Sequence, residues 1–186
     1  MKITMHEEEI ALLSSFMRRA DSYFEYGMGG STYLAAKLVG RVIHAVDTSQ
    51  VWVDKVADTI DAAGKDVLLR LVDVGKTGGW GTPLSTESAE KFPSYSQAIL
   101  DSGVNYDLCL VDGRFRVACF LQAVQGLKSD SVIGIHDYSV RPEYHLVEKF
   151  ARPVATCRTL SLFVRRSDCD MALLDATLSD YRLNWA

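Results

Sequence analysis

The sequence predicts an α/β fold: a mostly parallel sheet between two helical layers, closed at one edge by an antiparallel pair. Three observations carry this. Apolar runs of strand length that lack polar alternation are separated by segments of helical period, the pattern of a parallel sheet covered on both faces. The first run ends at Glu25 and turns through Gly27, Gly29 and Gly30 into a helical pattern. Two extended runs near the C-terminus, Val154 to Arg158 and Leu160 to Val164, are parted only by the linker at Thr159, which suits a hairpin and not a crossover.

Taken in order, Thr4 and Glu7 have the spacing of a capping box, and Ile10, Leu13, Phe16 and Met17 recur with helical period, predicting a helix over 5–20. This N-terminal helix, residues 1–21, packs on a single domain spanning 22–186. After the glycine turn a helix runs from Thr32 to Leu38 and stops at Gly40. Val42 to Val46 is the second strand, Val51 to Ala63 an amphipathic helix, and Val67 to Val72 the third strand. Residues 74–91 have no period and are rich in glycine, serine and threonine, so they form either an active-site lid or a plain surface loop. A helix over 92–100 leads to the fourth strand, Tyr106 to Val111, and a helix from Phe115 to Leu127 leads to the fifth, Ser131 to Ile135. A short helix over 144–150 precedes the hairpin, and residues 171–178 give either a last helical turn or two or a loose tail.

The 186 residues, 48% hydrophobic and 24% charged with a formal charge of −4, describe one ordinary globular domain and argue against a general nucleic-acid partner. Arg114, Arg116, Arg141 and Arg152 are the candidates for a local basic patch. Cys109, Cys119, Cys157 and Cys169 lack metal or redox spacing, and the first two fall in core elements where thiols behave as small hydrophobes. The acidic N-terminus lacks a signal-peptide core and no run is long enough to span a membrane, so the expectation is a cytoplasmic protein.

In an open parallel sheet, ligands bind beyond the carboxyl ends of the strands. Here those ends carry Glu25, Asp47, Asp73, Asp112 and the pair His136-Asp137. The glycine turn offers backbone N–H groups at a helix start, and Asp47, about twenty residues past the first glycine, suits a ribose diol or the cap of the next helix. Asp73 flanks a purine pocket or orders the glycine-rich loop. His44 lies inside a strand and reads as a packed histidine. Asp112, His136 and Asp137 converge either as acid–base groups, as ligands for Mg²⁺ or a similar ion, or merely as caps of the following turn.

Three motifs then stand together: Glu25-Tyr26-Gly27-Met28-Gly29-Gly30-Ser31-Thr32, Asp47, and Tyr106-Asp107-Leu108-Cys109-Leu110-Val111-Asp112. Over roughly residues 22–166 the chain resembles the class I, Rossmann-like S-adenosylmethionine-dependent methyltransferases. The resemblance implies a three-layer αβα sandwich with a seven-stranded sheet in the order 3-2-1-4-5-7-6 and an antiparallel last strand. It implies S-adenosylmethionine as cofactor, with Glu25, Gly27, Gly29, Ser31, Asp47 and Asp73 around it. It also places Asp112, His136 and Asp137 where the catechol-type O-methyltransferases carry metal ligands. There the fifth-strand pair is acid then amide, whereas here it is histidine then acid, so no metal residue is assigned and a divalent ion stays an open alternative. The expected reaction is methyl transfer to an oxygen or nitrogen of a small molecule, by a chain that also allows a homo-oligomer. A non-catalytic nucleoside-binding relative is the main rival. An NAD-dependent oxidoreductase is a weaker one, since its glycine fingerprint needs glycine where Thr32 stands. Amide methylation is disfavoured because Val111-Asp112-Gly113-Arg114 replaces the Asn/Asp-Pro-Pro-Tyr signature.

Overall fold

A computed structural model describes residues 1–185. Five parallel strands form in the expected sequence: β1 (Ser22–Tyr26), β2 (Val42–Asp47), β3 (Asp66–Leu71), β4 (Leu108–Val111) and β5 (Val132–Ile135). The hairpin follows as β6 (Ala151–Cys157) and β7 (Leu160–Arg165). The seven strands lie in the order β3-β2-β1-β4-β5-β7-β6, with β7 antiparallel to both neighbours. The helices are α1 (Glu7–Met17), α2 (Gly30–Leu38), α3 (Gln50–Ala57), α4 (Pro93–Gln97), α5 (Arg116–Gly126) and α6 (Met171–Tyr181).

Alternation along β1 divides the core. Phe24 and Tyr26 pack with Phe92, Tyr95, Phe115 and Phe120, from α4, α5 and the turns before them. Tyr23 packs on the opposite face with Leu13 and Met17 of α1 and Ala35 of α2. Glu25 shares that second face, and this sets its role below.

Several elements depart from the sequence reading. The α1 cap is not Thr4 with Glu7: the His6 N–H donates to Glu9 Oε2 at 2.8 Å, and the helix is shorter at both ends than 5–20. Thr4 instead belongs to an extended segment crossing the start of α2, so close that a Cβ on Gly30 would fall 2.5 Å from the Lys2 carbonyl oxygen. Helix α3 ends at Ala57 and not at Ala63, where the Thr59 hydroxyl turns back onto the Lys55 carbonyl at 2.7 Å. β3 is not covered on both faces: it is the sheet edge, and Leu68 and Leu71 are exposed. At the C-terminus the helical alternative holds. Asp170 caps α6 by accepting from the Leu173 N–H at 3.0 Å, and Leu174 is buried in the core.

Cys109 and Cys119 are buried, as free thiols. His44 is packed, its Nδ1 2.6 Å from the Tyr106 hydroxyl. No helix among the described residues is long and apolar enough to cross a membrane.

Candidate active site

The ends of β1, β2, β4 and β5 open onto a cleft of about 770 Å³, a size suited to small ligands. Its shape begins at Gly27, whose φ of +91° is a left-handed conformation that glycine adopts freely. A Cβ there would sit 2.5 Å from the Gly113 Cα, so two glycines in contact let the turns after β1 and β4 close against each other. Gly29 faces open space on the cleft side, beside Ser31 at the start of α2.

Asp47 lies at the tip of β2, buried on the cleft wall. Its Oδ2 accepts from the Met28 N–H and its Oδ1 from the Ser49 N–H, both at 2.8 Å, so one carboxylate ties the glycine turn to the start of α3. Burial pushes its pKa up to about 6, against the pull of those hydrogen bonds. Glu25 does not line the cleft. It lies fully buried beneath α2, accepting from the Ser31 hydroxyl and, at 2.7 Å, from the Thr32 hydroxyl. Burial raises it to about 8, so it holds its proton at neutral pH and supports the glycine turn from behind. Asp73 stands outside the cleft, exposed and paired with Lys91 at 2.6 Å, while its other oxygen accepts from the Gly75 N–H at 2.8 Å.

The structure brings Asp112, His136 and Asp137 together on the cleft rim, with one donor atom of each within 4.8 Å of the others. Two residues that the sequence reading left outside the site hold them. Arg116, buried in the first turn of α5, donates from Nη1 to Asp137 Oδ2 at 2.9 Å and lies 3.2 Å from Asp112 Oδ1 through Nη2. Its Nη1 also donates to the His136 carbonyl at 2.6 Å. Glu9 of α1 comes within 3.6 Å of His136 Nε2, while His136 Nδ1 donates to Asp112 Oδ1 at 3.0 Å. Burial opposes a charged imidazole, but Asp112 and Asp137 outweigh it and raise the His136 pKa above 6.5.

The three rim residues are close enough for a divalent ion, and one donor atom of each is already engaged. The Arg116 guanidinium bridges both carboxylates, and the imidazole nitrogen nearest Asp112 is committed to it. A fixed cation bound to both carboxylates competes with a divalent ion for this donor set.

The remaining wall comes from the N-terminal segment and the 74–91 loop. Residues 2–6 line the cleft, a role that no periodicity in so short a segment announces. The loop carries Trp80, 70% exposed, to stack on Trp52 of α3 with centroids 6.0 Å apart and planes at 19°. Thr48 anchors this arrangement by donating to the Gly81 carbonyl at 2.7 Å.

A sheet in this order, with a reversed β7 and a glycine turn facing an acid at the tip of β2, defines the methyltransferase type of Rossmann-like protein. Among solved structures the chain is similar to a methyltransferase-like protein from Silicibacter pomeroyi DSS-3, at 30% identity and a TM-score of 0.88, over 98% of this chain and 97% of that one. The chain belongs to the class I, Rossmann-like S-adenosylmethionine-dependent methyltransferase family. More distant structures share the fold alone. A ribosomal protein L11 methylase from Lactobacillus delbrueckii subsp. bulgaricus is 16% identical with a TM-score of 0.53, over 87% of this chain and 81% of its own. The N-methyltransferase NodS from Bradyrhizobium japonicum WM9 is 10% identical with a TM-score of 0.52, over 86% and 96%. No protein-family model and no curated protein matches the chain.

Proposed function

We propose that this protein transfers a methyl group from S-adenosylmethionine to an oxygen or nitrogen atom of a small molecule, without a metal. The observation that carries the reading is the placement of Asp112, His136 and Asp137 on the same cleft that Gly27, Gly29, Ser31 and Asp47 line. The glycine turn and Asp47 suit the methionine and ribose ends of the cofactor, with Glu25 holding Ser31 in place. When bound, S-adenosylmethionine supplies an electrophilic methyl carbon on a sulfonium sulfur and leaves as the neutral thioether. The acceptor contributes the lone pair that forms the new C–O or C–N bond, and its proton passes to the rim. His136 or Asp137 takes that proton, while Asp112 and Arg116 fix both in orientation. Trp80 and Trp52 at the cleft wall hold the acceptor away from water, which favours reacting geometry. A cleft of this size suits small acceptors.

The test is turnover of S-adenosylmethionine to S-adenosylhomocysteine over a pooled metabolite set, with and without EDTA, repeated with His136→Ala and Asp137→Ala. Turnover that persists in EDTA and falls in the two variants is the expected result. Loss of turnover in EDTA would restore the metal, and turnover untouched by both substitutions would remove the rim from the chemistry. A protein that binds the cofactor yet turns over no member of the pool would favour the binding-only relative.

A further inference from the structure

Three arginines converge on this cleft, and among the described residues Arg116 alone is held by close carboxylates. Arg116 is tied to two carboxylates, as described above. Arg114 follows the Gly113 turn after β4, and its Nε is buried without a hydrogen-bond partner. Burial and the neighbouring charges of Arg116 and Arg141 act against its own charge, a sign of cations gathered together. Arg141 follows β5 and, among the described residues, has only Glu143 at 4.0 Å as a carboxylate partner, at the limit of an ion pair. Arg116 and Arg141 lie 6.0 and 5.7 Å from the centroid of the buried Tyr144 ring, so these guanidinium groups share one wall. Like charges brought together in a part-buried cleft repel, and the cost is offset when an anion sits among them. Guanidinium groups suit planar carboxylates and phosphates in particular, through paired N–H donors.

Resting on the methyltransferase reading above, we propose that Arg114 and Arg141 form an anion subsite for the methyl acceptor, so that the acceptor carries a carboxylate or phosphate group. The topology sets the Arg141 side of this subsite apart from the glycine turn, which Arg114, next to Gly113, adjoins. Arg141 and Tyr144 follow β5, which lies across β4 from the glycine turn after β1. An acceptor held there by its anionic end reaches toward the donor past Asp112, His136 and Asp137, the groups proposed to take its proton.

The experiment is calorimetric titration with inorganic phosphate and, separately, with malonate, on the protein alone and on the protein saturated with S-adenosylhomocysteine. Sodium chloride at matched ionic strength is the control. Wild type, Arg114→Gln and Arg141→Ala are compared, with Arg141→Lys as the conservative variant. Saturable binding of at least one anion to the S-adenosylhomocysteine complex is expected, weakened about tenfold or more by Arg114→Gln and by Arg141→Ala. Arg141→Lys should restore part of it, and S-adenosylhomocysteine affinity should stay within about twofold of wild type in the Arg141 variants. The stronger of the two ligands separates a phosphate-bearing acceptor from a carboxylate-bearing one. Absence of saturable binding, or binding indifferent to both arginines, would overturn the subsite. Competition between the anion and S-adenosylhomocysteine would overturn it too, by giving the arginines to the cofactor's carboxylate. Failure of S-adenosylhomocysteine itself to bind would sink the methyltransferase reading instead, and the titrations of the protein alone would still decide whether the arginines bind anions.

Discussion

Glu9, in the first turn of α1, accepts from both the backbone N–H and the hydroxyl of Thr159, at 2.8 and 2.7 Å, across 150 residues of sequence. Thr159 is the tip of the β6–β7 hairpin, so this contact brings the N-terminal helix to the rim histidine. Burial works against the charge on Glu9, but the hydrogen bonds from Thr159 and His6 prevail and hold its pKa at about 2.

Glu9→Ala is therefore expected to destabilise the protein by about 2–3 kcal/mol, since it leaves the Thr159 donors and the His6 N–H without their acceptor. The contribution of a carboxylate with a lowered pKa is complete above its unfolded value near 4.5 and is lost as pH falls toward 2. Urea midpoints for wild type and variant should thus converge through that window. A gap that persists unchanged at pH 2 would show that the charge is not what stabilises.

Asp47→Ala should weaken S-adenosylhomocysteine binding by about tenfold to a hundredfold, the worth of a charged hydrogen bond plus the loss of its hold on Met28 and Ser49. Because its pKa lies at about 6, wild-type affinity should also fall as pH drops through that value and the carboxylate takes up a proton. Calorimetry from pH 5 to pH 8 checks both, and an affinity flat across that range would exclude the carboxylate as the ribose partner.

Glu25 gives a pH signature of its own. Its folded pKa of about 8 lies above the unfolded value near 4.5, so the folded state keeps a proton that the unfolded chain releases. The stability it contributes is full below pH 4.5 and is lost as pH rises through about 8. Glu25→Gln, a near-isostere of the protonated acid, should flatten the decline between those values while keeping the fold. An unaltered slope in chemical denaturation would contradict the buried, protonated acid.

His136 as a proton acceptor predicts a rate that rises with pH. Its imidazole is neutral only above a pKa raised past 6.5 by Asp112 and Asp137, so kcat/KM should climb through that raised value once an acceptor is known. His136→Ala should remove that limb of the profile, and Asp112→Asn should move it to lower pH. A limb unmoved in both variants would pass the role to Asp137 alone.

Trp80→Ala should lower kcat/KM about tenfold or more through loss of the cleft wall while leaving the unfolding midpoint nearly unchanged, because its ring is largely exposed and stacks only on Trp52. Wild-type tryptophan fluorescence should respond to S-adenosylhomocysteine and the response should shrink in the variant. Full activity in the variant would make residues 74–91 a plain surface loop.

The sheet was legible because its signals are local. Apolar runs of strand length, a glycine turn between Glu25 and Ser31 and a short hairpin link at Thr159 each act within a few residues, and together they leave little choice of topology. The acids at strand tips were legible for the same reason, since a parallel sheet puts all such tips on one rim. Which tips face the cleft was not. Glu25 points to a sheet face because side chains alternate along β1, and Asp73 is drawn away by Lys91, eighteen residues further on.

The sequence by itself determined the fold class, the glycine turn and the gathering of Asp47, Asp112, His136 and Asp137 at one edge of the sheet. Only the tertiary structure decided their state. Glu9 and the N-terminal residues 2–6 reach the rim through packing between segments distant in the chain, and Arg116, four residues after Asp112, meets Asp137 only because β4 and β5 lie side by side. Burial then makes Glu25 keep its proton, while hydrogen bonds from Thr159 and His6 overcome burial and make Glu9 lose its own. Two glutamates of identical chemistry are driven apart because Glu9 meets backbone and hydroxyl donors beside the His136 imidazole, whereas Glu25 is fully buried with hydroxyl donors and, among the described residues, no backbone N–H, and feels the charge of Asp112.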